Sequence, residues 1–140
     1  MKKDTSEMLS ELKNCSDFKD FLDTNKDNIT KTELSDSLEA LLKKYGIKKS
    51  EAVKASELNE IYAYQIFAGS RKPERSKLLC IAIGMGLPLE EVQKLLRSSG
   101  YAPLYVKIPF DCIVAFGIYK EYNLIKINDM LYEYGFDTLG

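Results

Sequence analysis

The sequence predicts an all-α protein, and three observations carry that expectation. Apolar residues recur at helical spacing in nearly every segment of the 140 residues. Helix starters (Ser, Thr, Asn) and helix stoppers (Gly) punctuate those segments, and strand-like alternation is weak throughout. Nine helices are expected. They divide into an N-terminal helical extension over residues 1–30, a central domain over 31–88, and C-terminal helical hairpins over 89–140 packed on that core.

Thr5–Asn14 reads as a short amphipathic helix with Met8, Leu9 and Leu12 on one side. Ser16 is placed to cap a second, with Asp17 in its first turn and Phe18, Phe21 and Leu22 inward. The stretch DTNKDNIT, Asp23–Thr30, has turn composition and links to the central domain. Thr32 opens a third helix, whose Leu34, Leu38, Leu41, Leu42 and Tyr45 form a broad apolar face ending at Gly46. Lys48–Pro73 then reads as a helix, a tight turn, a second helix closed by Gly69, and a basic loop. Ala52 and Val53 face the first of these helices inward, Asn59 caps the second, and Ala63, Ile66 and Phe67 make its buried stripe. Two helices so short and close, with small residues at the contact, have the pattern that lays the second in a DNA major groove. A sixth helix follows, with Leu78, Ile81, Ala82 and Met85 at i, i+3, i+4 and i+7, terminated at Gly84–Gly86. Leu87–Ser98 is the seventh.

From there the chain repeats itself. A shift of 35 residues lays Leu78–Leu104 on Ile113–Leu139, matching Leu89 with Leu124, Val92 with Ile127, Leu96 with Leu131, Gly100 with Gly135 and Leu104 with Leu139. Two αα-hairpins are implied, each too small to bury its apolar face alone.

Composition removes several classes of function. The chain has 20 Lys and Arg against 21 Asp and Glu, so it is no polycation. Residues 31–100 hold 12 basic and 9 acidic side chains, a net +3, while the segments on either side are each net −2. The positive region is the one holding the paired short helices, though the footprint is modest for a nucleic-acid binder. There is no His, which removes the commonest general base and most zinc sites. Cys15, Cys80 and Cys112 lack ligand spacing, and Cys80 and Cys112 lie in apolar runs that read as buried thiols of a reducing compartment. Carboxylate pairs such as Glu90–Glu91 read as solvated helix face. No phosphate-cradling glycine loop occurs. No enzyme activity, metal or cofactor is expected, and with no apolar leader or spanning run the protein is expected in the cytoplasm, off the membrane.

Leu34–Leu87 resembles the lambda-repressor-like, Xre-type helix-turn-helix domain. The residues that carry the likeness are Ser50–Glu51–Ala52–Val53, Ser56–Glu57–Leu58–Asn59, Ile66, Gly69, Arg71, Pro73 and the Leu78–Ile81–Ala82–Met85 stripe. The whole chain, with YAYQIF in the second helix and APLY downstream, is similar to a group of small bacterial regulators. It departs at the turn, where the family has glycine and this chain has Glu57, which must take positive φ at a cost or reshape the turn. The resemblance implies a sequence-specific transcriptional regulator that binds double-stranded DNA.

If the chain docks as that family does, Asn59, Glu60, Ile61, Tyr64 and Gln65 face the groove with Tyr62 at the flank. Gln65 suits adenine, and Ile61 a thymine methyl. The tyrosine hydroxyls, together with Lys48, Lys49 and Ser50 before the turn and Arg71 and Lys72 after it, suit phosphates. A homodimer is expected, because one weakly basic module gains affinity by pairing half-sites. The alternative is a protein partner: an adaptor or inhibitor that keeps the scaffold and turns its tyrosine-rich helix on another protein.

Overall fold

The computed structural model describes residues 5–24 and 33–140, without the side chains of residues 22–24. Those residues are all-helical, with nine helices and no strand among them. The chain divides into two compact units, Met1–Lys31 and Thr32–Gly140.

The first unit holds α1 (Thr5–Asn14) and α2 (Phe18–Thr24). No residue of α1 is buried, so Leu9 and Leu12 keep their apolar side exposed. Two expectations are corrected here. Asp17, not Ser16, caps α2: its Oδ1 accepts the Lys19 N–H at 3.1 Å and its carbonyl accepts that of Phe21 at 3.2 Å. Phe18 is exposed rather than inward, while Phe21 is buried, their rings 6.3 Å apart. The inward placement of Leu22, the linker beyond Thr24 and the opening at Thr32 lie outside the described residues.

The second unit runs α3 (Leu34–Tyr45), α4 (Lys49–Ala55), α5 (Glu60–Ala68), α6 (Arg75–Gly84), α7 (Leu89–Ser98), α8 (Pro109–Tyr119) and α9 (Leu124–Glu133). Gly46 ends α3 at φ 63°, and the Ile47 N–H reaches back to the Leu42 carbonyl at 2.9 Å. Extended Pro88 starts α7 at Leu89, two residues later than its apolar run suggests. Pro109, in the first turn of α8, suits an amide that has no intrahelical partner. A single apolar cluster joins α3–α6 to α7–α9 through Leu38, Phe67, Leu78, Ile81, Leu96 and Ile127. Burying each such side chain contributes about 2 kcal/mol. Residues 33–88 and 89–140 therefore share one core.

α6 ends at Gly84–Gly86 as its glycines predict, and Gly84 has a second role. It is the last residue of α6, and a Cβ there would lie 2.8 Å from the Ser56 nitrogen and 3.0 Å from the Ala52 carbonyl oxygen. Its bare Cα lets α6 touch the backbone of α4. The left-handed stop is Gly86, at φ 69°.

The 35-residue repeat extends to atomic detail. α7 and α9 start and end at corresponding positions. Gly86 at φ 69° corresponds to Glu121 at φ 60°, and Gly100 at 86° to Gly135 at 84°. In the first copy the Gln93 amide clamps the backbone of Leu104, accepting its N–H at 2.7 Å and donating to its carbonyl at 2.8 Å. In the second, Asn128 clamps Leu139 the same way, at 2.7 and 3.1 Å. Ile127 replaces the smaller Val92, and Gly117 replaces Ala82 directly beneath it, so volume moves from one helix to the other.

Beyond each clamp the copies exchange partners. The Tyr105 N–H, after the first clamp, donates to Asp111 of the second copy at 2.9 Å; the Gly140 N–H, after the second, donates to Ser76 of the first at 3.0 Å. Positions 105 and 140, and 76 and 111, are 35 apart. Packing is exchanged likewise, α6 against α9 and α7 against α8. Such reciprocity marks an approximate internal two-fold relation between the hairpins.

Glu91 is corrected from solvated surface to a structural tie, and Arg75 is a second such tie. Arg75 grips buried Asp111 with two parallel bonds of 3.0 Å and also donates to the Ala102 and Pro103 carbonyls at 2.9 and 3.1 Å. Glu91, its side chain only 12% exposed, accepts from Lys44 at 3.0 Å and from the Tyr45 hydroxyl at 3.1 Å, joining α7 to α3. The Lys44 hydrogen bond holds the Glu91 carboxyl below its ordinary 4.5. A depressed carboxylate contributes stability that is present above 4.5 and is lost as pH falls through the folded-state value. Urea melts of wild type and Glu91→Gln should therefore differ by a constant gap from pH 7 to about 5, and the gap should close below 4.5. A gap unchanged at pH 3 would show that it does not come from the ionised Glu91 carboxylate.

Cys80 is buried as expected, and burial pushes its thiol up to about 11, which keeps it in the unreactive thiol form. Cys112 is exposed, contrary to its apolar surroundings in sequence. α8 is apolar nearly all round, so its composition does not say which face is covered.

Candidate nucleic-acid interface

The α4–turn–α5 unit is organised around a buried serine. Ser56 is fully buried; its hydroxyl donates to the Val53 carbonyl at 2.6 Å and accepts from the Leu58 N–H at 3.4 Å. The turn's polar groups are thus partnered internally. Glu57 takes φ 57°, the conformation a glycine would take, at a cost of about 1 kcal/mol. Of the two outcomes open to it, positive φ is the one realised.

Asn59 starts α5, its side chain accepting the Tyr62 N–H at 3.1 Å. Gly69, at φ 84°, closes the helix and lies so near Ser35 that a Cβ would come within 2.9 Å of its hydroxyl. Ala63, Ile66 and Phe67 are buried, as their spacing demands. The opposite face is open: Glu60 is exposed, Ile61 is 71% exposed and Tyr64 36%, while Gln65 and Tyr62 are half-buried at its sides. Neither Tyr64 nor Gln65 is walled off.

The basic residues divide. Lys48 and Ser50 are exposed at the start of α4. Lys49 is half-buried, ion-paired with Glu39 of α3 and 5.8 Å from the centre of the Phe67 ring, so it braces α4. Arg71 lies 5.8 Å from the Tyr62 ring centre and Lys72 5.7 Å from that of Tyr101. Both line a cleft of about 310 Å³ whose walls include Ser35, Ser98, Ser99 and Tyr101. Tyr101 anchors this loop by donating its hydroxyl to the Pro73 carbonyl, and burial raises the phenol above its usual range. Tyr101 was not among the expected site residues: it lies about 30 residues beyond this loop in sequence, and only the fold brings it here.

Between α4 and α5 lies a second concavity, about 390 Å³, bordered by Ser50, Lys54, Glu57, Glu60 and Tyr64. Two carboxylates and one ammonium line it. Lys54 was not among the expected residues, and only its place opposite Tyr64 across the turn identifies it. The surface therefore offers hydroxyl, amide and methyl groups at its centre, with Lys48, Lys54, Arg71 and Lys72 around it. Comparison of the chain with protein-family models, curated proteins and solved structures finds no match.

Proposed function

We propose that the protein is a sequence-specific DNA-binding regulator that lays the outer face of α5 in a major groove. The observation that carries this reading is the glycine-like turn at Glu57. It presents α5 with Ile61, Tyr64 and Gln65 accessible while Ala63, Ile66 and Phe67 hold the helix from behind. Gln65 pairs with adenine, Ile61 meets a thymine methyl, and Lys48, Ser50, Arg71 and Lys72 hold phosphates. Two copies on two half-sites supply the affinity that a weakly basic single module lacks.

A second reading is favoured by the same surface. Ile61, exposed beside Tyr64 and flanked by Glu57 and Glu60, also has the character of a protein-binding hot spot on an adaptor or inhibitor. Salt separates the two readings. Fluorescence-anisotropy titrations of a selected duplex should show Gln65→Ala losing about 1–3 kcal/mol on that duplex and little on random DNA. Arg71→Ala should weaken both duplexes alike and lower the salt slope by about one. Equal losses for both variants on both duplexes would refute this division of roles; duplex binding absent at low salt would favour the adaptor.

A further inference from the structure

The cleft beside the loop that follows α5 carries charge that the chain itself does not answer. Arg71 and Lys72 both line it, and among the described residues neither makes an ion pair or donates a hydrogen bond. Lys72 sits over the ring of Tyr101, which is part of the cleft wall. Ser35 and Ser99, half-buried in the same lining, have hydroxyls without a hydrogen-bond partner among the described residues. Ser35 stands in the first turn of α3, whose N-cap Glu33 makes no side-chain cap, so the amide end of a 12-residue helix borders the cleft too. Glu33 is the one carboxylate of the lining, against two cations.

We propose that this cleft binds a small ligand through a single phosphate group, and that the bound phosphate draws Arg71 and Lys72 away from DNA. The volume of about 310 Å³ suits a small molecule. Depth separates the cleft from the DNA-facing surface. Ile66, which has no exposed surface of its own, contributes to the lining, so the cleft reaches behind α5, on the side away from Ile61 and Tyr64. A duplex lying on the outer face of α5 does not enter there, whereas a free phosphate group does. The donors match that group. A guanidinium and an ammonium supply charge-assisted bonds, two serine hydroxyls supply neutral ones, and the start of α3 adds partial positive charge. Tyr101 has spent its proton on the Pro73 carbonyl, so it offers a ring as wall and no donor. Glu33 opposes a second anionic group, which limits the ligand to one phosphate. The loop carrying Arg71 and Lys72 thus stands between two surfaces, and cations held in the cleft are withdrawn from the DNA backbone. The coupling rests on the DNA reading of α5; the cleft does not.

Two titrations test this. In the first, the full chain without DNA receives inorganic phosphate at constant ionic strength, balanced with chloride, while backbone amide NMR signals are followed. Saturable shifts are expected at Ser35, Gly69 and Ser99. The Kd should rise at least about fivefold in Arg71→Ala and in Lys72→Ala and fall about twofold in Glu33→Gln. It should be unchanged in Lys107→Ala, which removes an exposed cation outside the cleft. All four positions are exposed, and thermal melts verify that the variants fold. Shifts that never saturate, or a Lys107→Ala variant weakened as much as the two cleft variants, would overturn the site, because either is general charge attraction. In the second, phosphate replaces chloride at equal ionic strength while the selected duplex is titrated. Wild-type affinity should fall at least about threefold, and that of the variant carrying both Arg71→Ala and Lys72→Ala should not. Equal wild-type affinity in the two salts would overturn the coupling. A chain that binds no duplex in either salt fails the α5 reading and the coupling with it, while the first titration still decides the cleft.

Discussion

Arg75→Ala is expected to destabilise the protein by about 3 kcal/mol, because it strands a carboxylate that the fold has taken out of water. Asp111 is 3% exposed, and with Arg75 gone the Tyr105 N–H remains as its hydrogen-bond donor. The guanidinium also holds the Ala102 and Pro103 carbonyls, so one truncation loosens the 99–108 connection between the hairpins as well as the ion pair. At this chain length the loss corresponds to roughly a 10 °C fall in Tm. Replacing both residues, Arg75→Ala with Asp111→Leu, should recover part of the loss, since a buried pair exchanged for apolar groups is less costly than a pair broken on one side. Thermal melts of the two variants check this. A single variant within about 0.5 kcal/mol of wild type would mean that the pair is ordinary surface charge.

Gly84→Ala should be nearly as severe, and its sign runs against helix propensity. Alanine inside a helix is favoured over glycine by about 1 kcal/mol. Here the new methyl would meet backbone atoms of α4, at 2.8 Å for the Ser56 nitrogen and 3.0 Å for the Ala52 oxygen and Ala55 carbon. Backbone cannot rotate aside as a side chain can, so α4 must shift bodily, and overpacking of this kind costs about 1–3 kcal/mol or more. The clash wins, for an expected net loss of about 2 kcal/mol. Because α4 braces α5, the DNA binding proposed for α5 should weaken as well, even at temperatures where the variant is folded. Gly46→Ala is the control: its φ of 63° is strained for alanine, but a Cβ there meets nothing within 4 Å. It should cost about 1 kcal/mol and leave the pose of α5 unchanged. A Gly84→Ala melt at or above wild type would remove the close approach from the account.

What could be read from the sequence was what local pattern encodes. The stripe of α5 and the Asn59 cap depend on neighbours three or four residues away, and both stand where their spacing places them. The repeat was legible in its apolar and glycine positions because each hairpin must meet the same packing demands. What stayed hidden depends on partners distant in sequence. Arg75 follows a Pro and two basic residues and reads as loop until Asp111, 36 residues on, is found beside it. Nor does the repeat reveal the pair, since the counterpart of Asp111 is Ser76. Glu91 looks solvated next to Glu90 because Lys44 and Tyr45 arrive from another helix. Lys49 presents the same ambiguity from the other side, a phosphate-binding candidate by position that folding commits to Glu39. Glu57 allowed two turn geometries, and only the packed structure selects between them.

The most direct test of the central claim, that the exposed face of α5 enters a DNA groove, is selection of the full chain on a random duplex pool. It is followed by titration of the enriched and unselected duplexes at several salt concentrations. An enriched sequence should be bound at least about 10³-fold more tightly than random duplex, with log affinity falling linearly against log salt and that preference reduced by about 1–3 kcal/mol in Gln65→Ala. A pool that never enriches, or an affinity indifferent to both salt and sequence, would contradict it.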